Sequence, residues 1–116
     1  MVAYPRVMRF VAAALFLVAA CNDPTGGSKD GAKVFQTTCA TCHGMAGKPE
    51  QAMVARLNVR DLTDPEFRKK VSKDLVEKQV RTGSVNKLMP SFVGALSDEQ
   101  IEAVARYVSS PDFVKK

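Results

Sequence analysis

Cys39-Ala40-Thr41-Cys42-His43 constrains this chain more than any other stretch. On a helix, side chains three residues apart share a face, so both thiols can reach one flat partner, and the His43 imidazole follows directly beneath it. Two thiols and a histidine at this spacing form the attachment sequence of a c-type haem. Each sulfur can bond one vinyl group of the porphyrin, and His43 can supply the proximal ligand to iron. Cys39 and Cys42 are therefore the candidate covalent cofactor-binding residues, with one haem c as the cofactor.

Other uses of such a cluster explain less of the chain. A thioredoxin-like dithiol sits where a strand enters a helix of a βαβ framework, and no alternating or β-branched strand pattern is present. A structural zinc site needs four protein ligands, whereas the remaining cysteine is Cys21 and the sequence holds a single histidine. A disulfide between Cys39 and Cys42 would leave His43 without a role.

The chain of 116 residues is long enough for one small domain. Its start reads as a leader: Arg6 and Arg9 precede the unbroken apolar run Phe10 to Ala20. That run is shorter than the ~20 residues a membrane span wants. It ends in Val18-Ala19-Ala20-Cys21, which resembles the lipobox of bacterial lipoproteins. The resemblance implies cleavage after residue 20 and lipid on Cys21, which accounts for the third thiol of an exported chain. An ordinary signal peptide cut near Ala20 is the alternative, leaving Cys21 free. Two or more acyl chains would anchor the protein stably where one would not. Asn22 is not the aspartate associated with inner-membrane retention, which points to the outer membrane.

Removing residues 1–20 lowers Lys plus Arg from 17 to 15 against 12 acids, leaving a net charge of +3. Such an excess, without a basic stripe or interleaved aromatics, does not indicate nucleic acid. Residues 21–29 then form a lipidated cysteine and flexible tether, since Asn22-Asp23-Pro24-Thr25-Gly26-Gly27-Ser28-Lys29 offers nothing apolar to bury. Its root-mean-square reach would be ~15 Å. The folded domain is expected over residues 30–116.

Within that domain every segment reads as a short helix, so the fold class is all-α. A first helix starts at Ser28 or Asp30 and runs through Phe35 toward His43, with Gly44 and Gly47-Lys48-Pro49 ending it. The stretch 50–60 is ambiguous, with a turn of helix around Met53. Asp64-Pro65 starts another helix, Ser72 caps a further one that closes at Gly83, and Ser97-Asp98-Glu99-Gln100 is a capping box. The last opens the clearest helix, with Ile101, Val104, Ala105 and Val108 as its stripe and Pro111 as its stop.

An electron-carrying haem needs a sixth ligand. With His43 committed and no second histidine, bis-histidine ligation within one chain is excluded. Met45 lies too near His43 to cross the ring, and Met53 reaches only if its loop wraps tightly. Methionines are more often core filler than ligands. Met89 stands in Lys87-Leu88-Met89-Pro90-Ser91-Phe92, between two helices and beside a proline that keeps the loop extended, and is the expected distal ligand.

From about Asp30 to Val108 the chain resembles the small bacterial class I mono-haem cytochromes c. The matching elements are Gly31 and Phe35 ahead of the Cys39–His43 motif, Val80-Arg81-Thr82-Gly83, Met89-Pro90-Ser91-Phe92, and Leu96 to Ile101 continuing through Ala105-Arg106-Tyr107-Val108. The resemblance implies that first and last helices cross, with Gly31 and Phe35 against Tyr107. It implies a carrier of single electrons that catalyses no bond chemistry, a monomer that meets redox donor and acceptor proteins. Together with the lipobox it implies a periplasm-facing protein of a respiratory chain, held to the membrane by lipid. Arg81 and Lys87 would border the exposed haem edge and steer the domain toward an acidic partner. A haem-bearing subunit of a larger oxidoreductase and a haem sensor with a displaceable sixth ligand are the alternatives.

Overall fold

The computed structural model describes residues 25–115, so the leader and Cys21 lie outside the described residues. Asp30 opens the first helix, its carboxylate accepting from the Ala32 amide at 3.0 Å. The helix is not uniform: α1 (Gly31–Val34) runs into a π-helical turn (Phe35–Cys39) and then α2 (Ala40–His43). The turn is closed by the Ala40 N–H bonding to the Phe35 carbonyl. One residue more per turn changes the register where the motif begins, a feature that π-turns commonly bring to functional sites.

The ambiguous stretch resolves into α3 (Gln51–Leu57), stopped by Asn58 in the left-handed region at φ 52°. α4 (Pro65–Lys70) begins as expected, with Pro65 in its first turn and the Asp64 carboxylate accepting from the Phe67 amide. Ser72 caps α5 (Lys73–Thr82), and Ser97 with Gln100 forms the reciprocal capping box of α6 (Asp98–Ser109). Pro111 does more than stop α6. It starts a 3₁₀ turn (Pro111–Val114) that buries Phe113 to 2 % exposure. No β-strand occurs among the described residues, where Val93 and Leu96 form an isolated bridge, and the all-α expectation holds.

α6 is the central element, packed on both α1 and α5. Its Ile101, Val104, Ala105 and Val108 meet Val34, Phe35, Val76 and Val80 in one buried cluster. At roughly 1.5–3 kcal/mol for each fully buried Val, Ile or Phe, this stripe outweighs what solvent-screened surface ion pairs provide. Those pairs form a chain along the α5–α6 seam, from Asp98 to Arg81, Glu77, Lys73, Glu102 and Arg106.

Three rings close the crossing of first and last helices. Phe35 lies 5.9 Å from Tyr107 and 5.3 Å from Phe113, and Tyr107 lies 5.2 Å from Phe113, between ring centroids. The expected Phe35–Tyr107 contact is present, and Phe113 is a third partner that sequence reading did not supply. The tether also differs from expectation. Thr25 is buried, and the Gln100 side-chain amide donates to its hydroxyl at 2.7 Å and to the Ser28 carbonyl at 3.0 Å. The chain from Thr25 to Ser28 is thus held against the start of α6, because its hydroxyl and carbonyl satisfy a buried amide that has no water to turn to.

Gly31 allows α1 and α6 to touch. A Cβ there would run into the Ala103 carbonyl oxygen and lie 2.8 Å from the Tyr107 Cβ. Gly31→Ala should therefore lower stability by about 2 kcal/mol, although helix propensity alone would raise it by ~1 kcal/mol. The midpoint of urea unfolding, read with its slope, measures the sign.

Candidate haem site

The motif residues sit at the end of the first helical rod, on α2 and its junction with the π-turn. Cys39 and Cys42 are both half-buried and unpaired. Burial, and secondarily the charge of Cys42, push the Cys39 thiol up to about 12. A redox dithiol requires a lowered thiol pKa to supply its thiolate nucleophile, so this environment opposes that use of the motif. Among the described residues no group of three His, Cys, Asp or Glu side chains is placed to hold a metal ion.

His43 is oriented by the backbone. Its Nδ1 lies 3.1 Å from the Arg60 carbonyl oxygen, to which an Nδ1–H donates. That bond fixes the tautomer and leaves the Nε2 lone pair available to a metal. Burial holds the ring below its ordinary pKa, with the Arg60 bond opposing in part, so the imidazole is neutral near pH 7. A neutral nitrogen beside two thiols one turn apart fits the donor set that a covalently attached haem requires.

Met89 lies on a loop folded back over the C-terminal end of α5. Its backbone is gripped on both sides by Ser84: the Met89 N–H donates to the Ser84 Oγ at 3.0 Å, and the Ser84 N–H to the Met89 carbonyl at 2.9 Å. Ser84 Oγ in turn donates to Asn86 Oδ1 at 2.6 Å, and Asn86 Oδ1 also accepts from the Leu88 amide. Farther on, Ser91 Oγ donates to the Arg81 carbonyl at 2.6 Å and the Phe92 amide to the Val80 carbonyl at 3.0 Å. Met89, Phe67, Val71, Phe92 and Cys39 all pack on the core yet stay partly open. Met45 is 62 % exposed.

Arg81 differs from its expected role. It pairs with Asp98 at 2.8 Å and with Glu77 at 3.0 Å, and the hydrogen bond to Asp98, then that to Glu77, raise its pKa further. Its charge is met within the α5–α6 seam and is not presented outward as a lone cation. Lys87 is exposed on the Met89 loop at φ 61°. The Arg60 carbonyl had no signature in the sequence, since any residue can offer one. The Ser84–Asn86 pairing was in principle visible, as a serine and an asparagine following a helix-closing glycine.

A helical fold with crossing termini and this thiol–imidazole cluster define a class I c-type cytochrome. Residues 27–108 match the family model described as cytochrome C oxidase, cbb3-type, subunit III, and the chain belongs to that cytochrome c family. It is 44 % identical over 82 residues to cytochrome c6 of Microcystis aeruginosa, covering 68 % of this chain and 90 % of that one. With cytochrome c6 of Synechococcus sp. (strain ATCC 27167 / PCC 6312) it shares 39 % over 79 residues, covering 68 % and 65 %. The structure is similar to the KustC0563 c-type cytochrome with a TM-score of 0.61 at 30 % identity, covering 69 % of this chain and 94 % of that one. The protein is thus a mono-haem c-type cytochrome, an electron carrier with one covalently attached haem c.

The Met89 loop leans on Gly83, which sits at φ 72° with the Met89 carbonyl oxygen 2.6 Å and the Ser91 nitrogen 2.9 Å from where a Cβ would be. Gly83→Ala adds left-handed strain to a backbone collision and should destabilise by about 3 kcal/mol. Hydrogen exchange should show the Phe92 amide losing protection before amides of α1.

Proposed function

We propose that this cytochrome is a membrane-tethered shuttle of single electrons in the cell envelope, with haem bonded to Cys39 and Cys42 and iron held by His43 and Met89. The observation that carries the reading is the His43 ring, whose Nδ1–H is given to the Arg60 carbonyl beside two thiols at attachment spacing. When bound, the haem supplies a one-electron iron couple. The chain's own work is positional. His43 keeps one tautomer because its Nδ1–H has a fixed acceptor. Met89 starts from a backbone pinned by Ser84, so its thioether need not be reorganised at each turnover. A methionine on one side raises the potential relative to two nitrogen ligands, suiting a donor to a terminal acceptor. No group here is assigned bond-making chemistry.

The tether reading rests on Val18-Ala19-Ala20-Cys21 and on the otherwise unexplained third thiol. It places lipid on Cys21, the domain on the periplasmic side, and the anchor in the outer membrane by the residue that follows. The partners are redox donor and acceptor proteins of a respiratory chain, met as a monomer. A second reading, a resident haem-bearing subunit of an oxidoreductase, is favoured by the family model's description as an oxidase subunit. Purification from detergent extract discriminates: a stoichiometric partner supports the resident subunit, and a lone cytochrome supports the shuttle.

Met89→Ala should abolish the sulfur-to-iron charge-transfer band and lower the midpoint potential. Loss of the band in Met53→Ala with Met89→Ala silent would reassign the ligand. Replacing Cys39 and Cys42 together by serine should remove haem stain from the denatured polypeptide.

Cys21→Ser should move the haem protein from the membrane fraction to the soluble one. Mass spectrometry of the native protein should find diacylglycerol on Cys21, and an unmodified thiol there would refute the anchor.

A further inference from the structure

Arg68 lies on α4, away from both proposed ligands in sequence, yet its guanidinium is committed wholly to backbone carbonyls and a ring. Nη1 donates to the Val108 carbonyl at 2.8 Å and to the Leu62 carbonyl at 3.4 Å, and Nη2 to the Ser110 carbonyl at 2.9 Å. Its central carbon lies 5.4 Å from the Phe113 ring centroid. Two of these bonds lie at the end of α6: the Val108 carbonyl is among the last of the helix, which lack partners, and a cation there is favoured by the helix dipole, while the Ser110 carbonyl just beyond also accepts from the Phe113 amide. The third bond does not belong to that explanation, because Leu62 is on a different segment.

That segment, Arg60–Leu62, carries the carbonyl that orients His43. It is held at successive points. The Arg60 carbonyl accepts from His43 Nδ1, and the Arg60 guanidinium lies 5.4 Å from the Phe67 ring on α4. The Leu62 amide donates to the Gly47 carbonyl at 2.9 Å, returning to the loop that follows His43. Asp61 Oδ1 accepts from both the Thr63 amide and the Thr63 hydroxyl, closing the turn. Phe113, beneath the Arg68 guanidinium, also lies against Gly47. α4 therefore grips the segment through neighbouring residues, Phe67 on the Arg60 side chain and Arg68 on the Leu62 carbonyl.

We infer that Arg68 is a positioning residue for His43: it ties the Arg60–Leu62 segment to the C-terminal end of α6, so that the Arg60 carbonyl stays on the imidazole Nδ1–H. The inference rests on His43 being the proximal ligand, as proposed above. A histidine that donates its second ring N–H is a more basic ligand. Stronger donation favours ferric iron and lowers the potential, so a slackened segment raises it. Lysine cannot replace the fork, because a single ammonium does not span acceptors on two segments in fixed geometry.

The test uses the full haem-loaded chain as Arg68→Met and Arg68→Lys, with Val104→Ala as a control that destabilises α6 from within the core. Two readouts are taken: midpoint potential, and solvent exchange of the His43 Nδ1–H by NMR of the ferrous protein. Arg68→Met should raise the potential and speed Nδ1–H exchange about tenfold, the effect of releasing one charge-assisted bond that holds the segment closed. Arg68→Lys should show the same direction to a smaller extent, and Val104→Ala neither. Arg68 variants that lose stability like Val104→Ala but keep the wild-type potential and exchange would overturn the inference and leave Arg68 as a helix cap. If Arg68→Met does not fold, unchanged readouts in Arg68→Lys overturn it equally. A wild-type spectrum without a haem-shifted His43 imidazole would overturn the ligand assignment and the inference with it, an outcome distinct from a shifted signal that Arg68 does not affect.

Discussion

The crossing of α1 and α6 at Gly31 is the contact on which the rest of the molecule depends. Because no side chain separates α1 from the Ala103 carbonyl, the helices approach closely enough for Phe35, Tyr107 and Phe113 to meet edge to face. That approach fixes the line along which the first rod runs, and so the place where the π-turn delivers Cys39, Cys42 and His43. A wider crossing would leave the rings in contact with water and the motif without a fixed bearing. The core is small, twelve buried apolar side chains among the described residues, so one such contact carries a large share of the specification.

Around that frame, the bonds that aim the candidate site each end on at least one backbone group. His43 is aimed by a carbonyl, Met89 by paired bonds to one serine, and the loop after α5 by returns to the Arg81 and Val80 carbonyls. Backbone acceptors do not titrate and carry little rotamer freedom, which suits a centre that must look the same before and after an electron passes. The α5–α6 seam alternates sign along its length and leaves Arg81 satisfied at home.

What the sequence made legible follows from the range of the signals. Caps are local, so Asp30, Asp64, Ser72 and the Ser97–Gln100 box stood where their side chains indicated. The Cys39–His43 motif, and the glycine and aromatic pair that meet Tyr107, were visible for the same reason or through family resemblance. The misses were long-range. Thr25 looked like linker because its burial depends on Gln100, seventy-five positions away. Phe113 carried no local signal, because its surroundings are made by Gly47 and Tyr107, both distant in sequence or on another element. The π-turn was invisible because its residues also satisfy an α-helical pattern.

The Thr25–Gln100 bond has a mechanical meaning. Any tension arriving along the chain from residues ahead of Thr25 is borne first by the Gln100 amide, whose oxygen simultaneously caps the Ser97 amide at 2.9 Å. The load therefore enters the domain at the N-terminal end of α6 and is spread across its longest helix before it can reach α1. Cys39 and His43 sit at the far end of the first rod, so a pull on the chain ahead of Thr25 meets the paired Gln100 contacts, to the Thr25 hydroxyl and the Ser28 carbonyl, well before it reaches them.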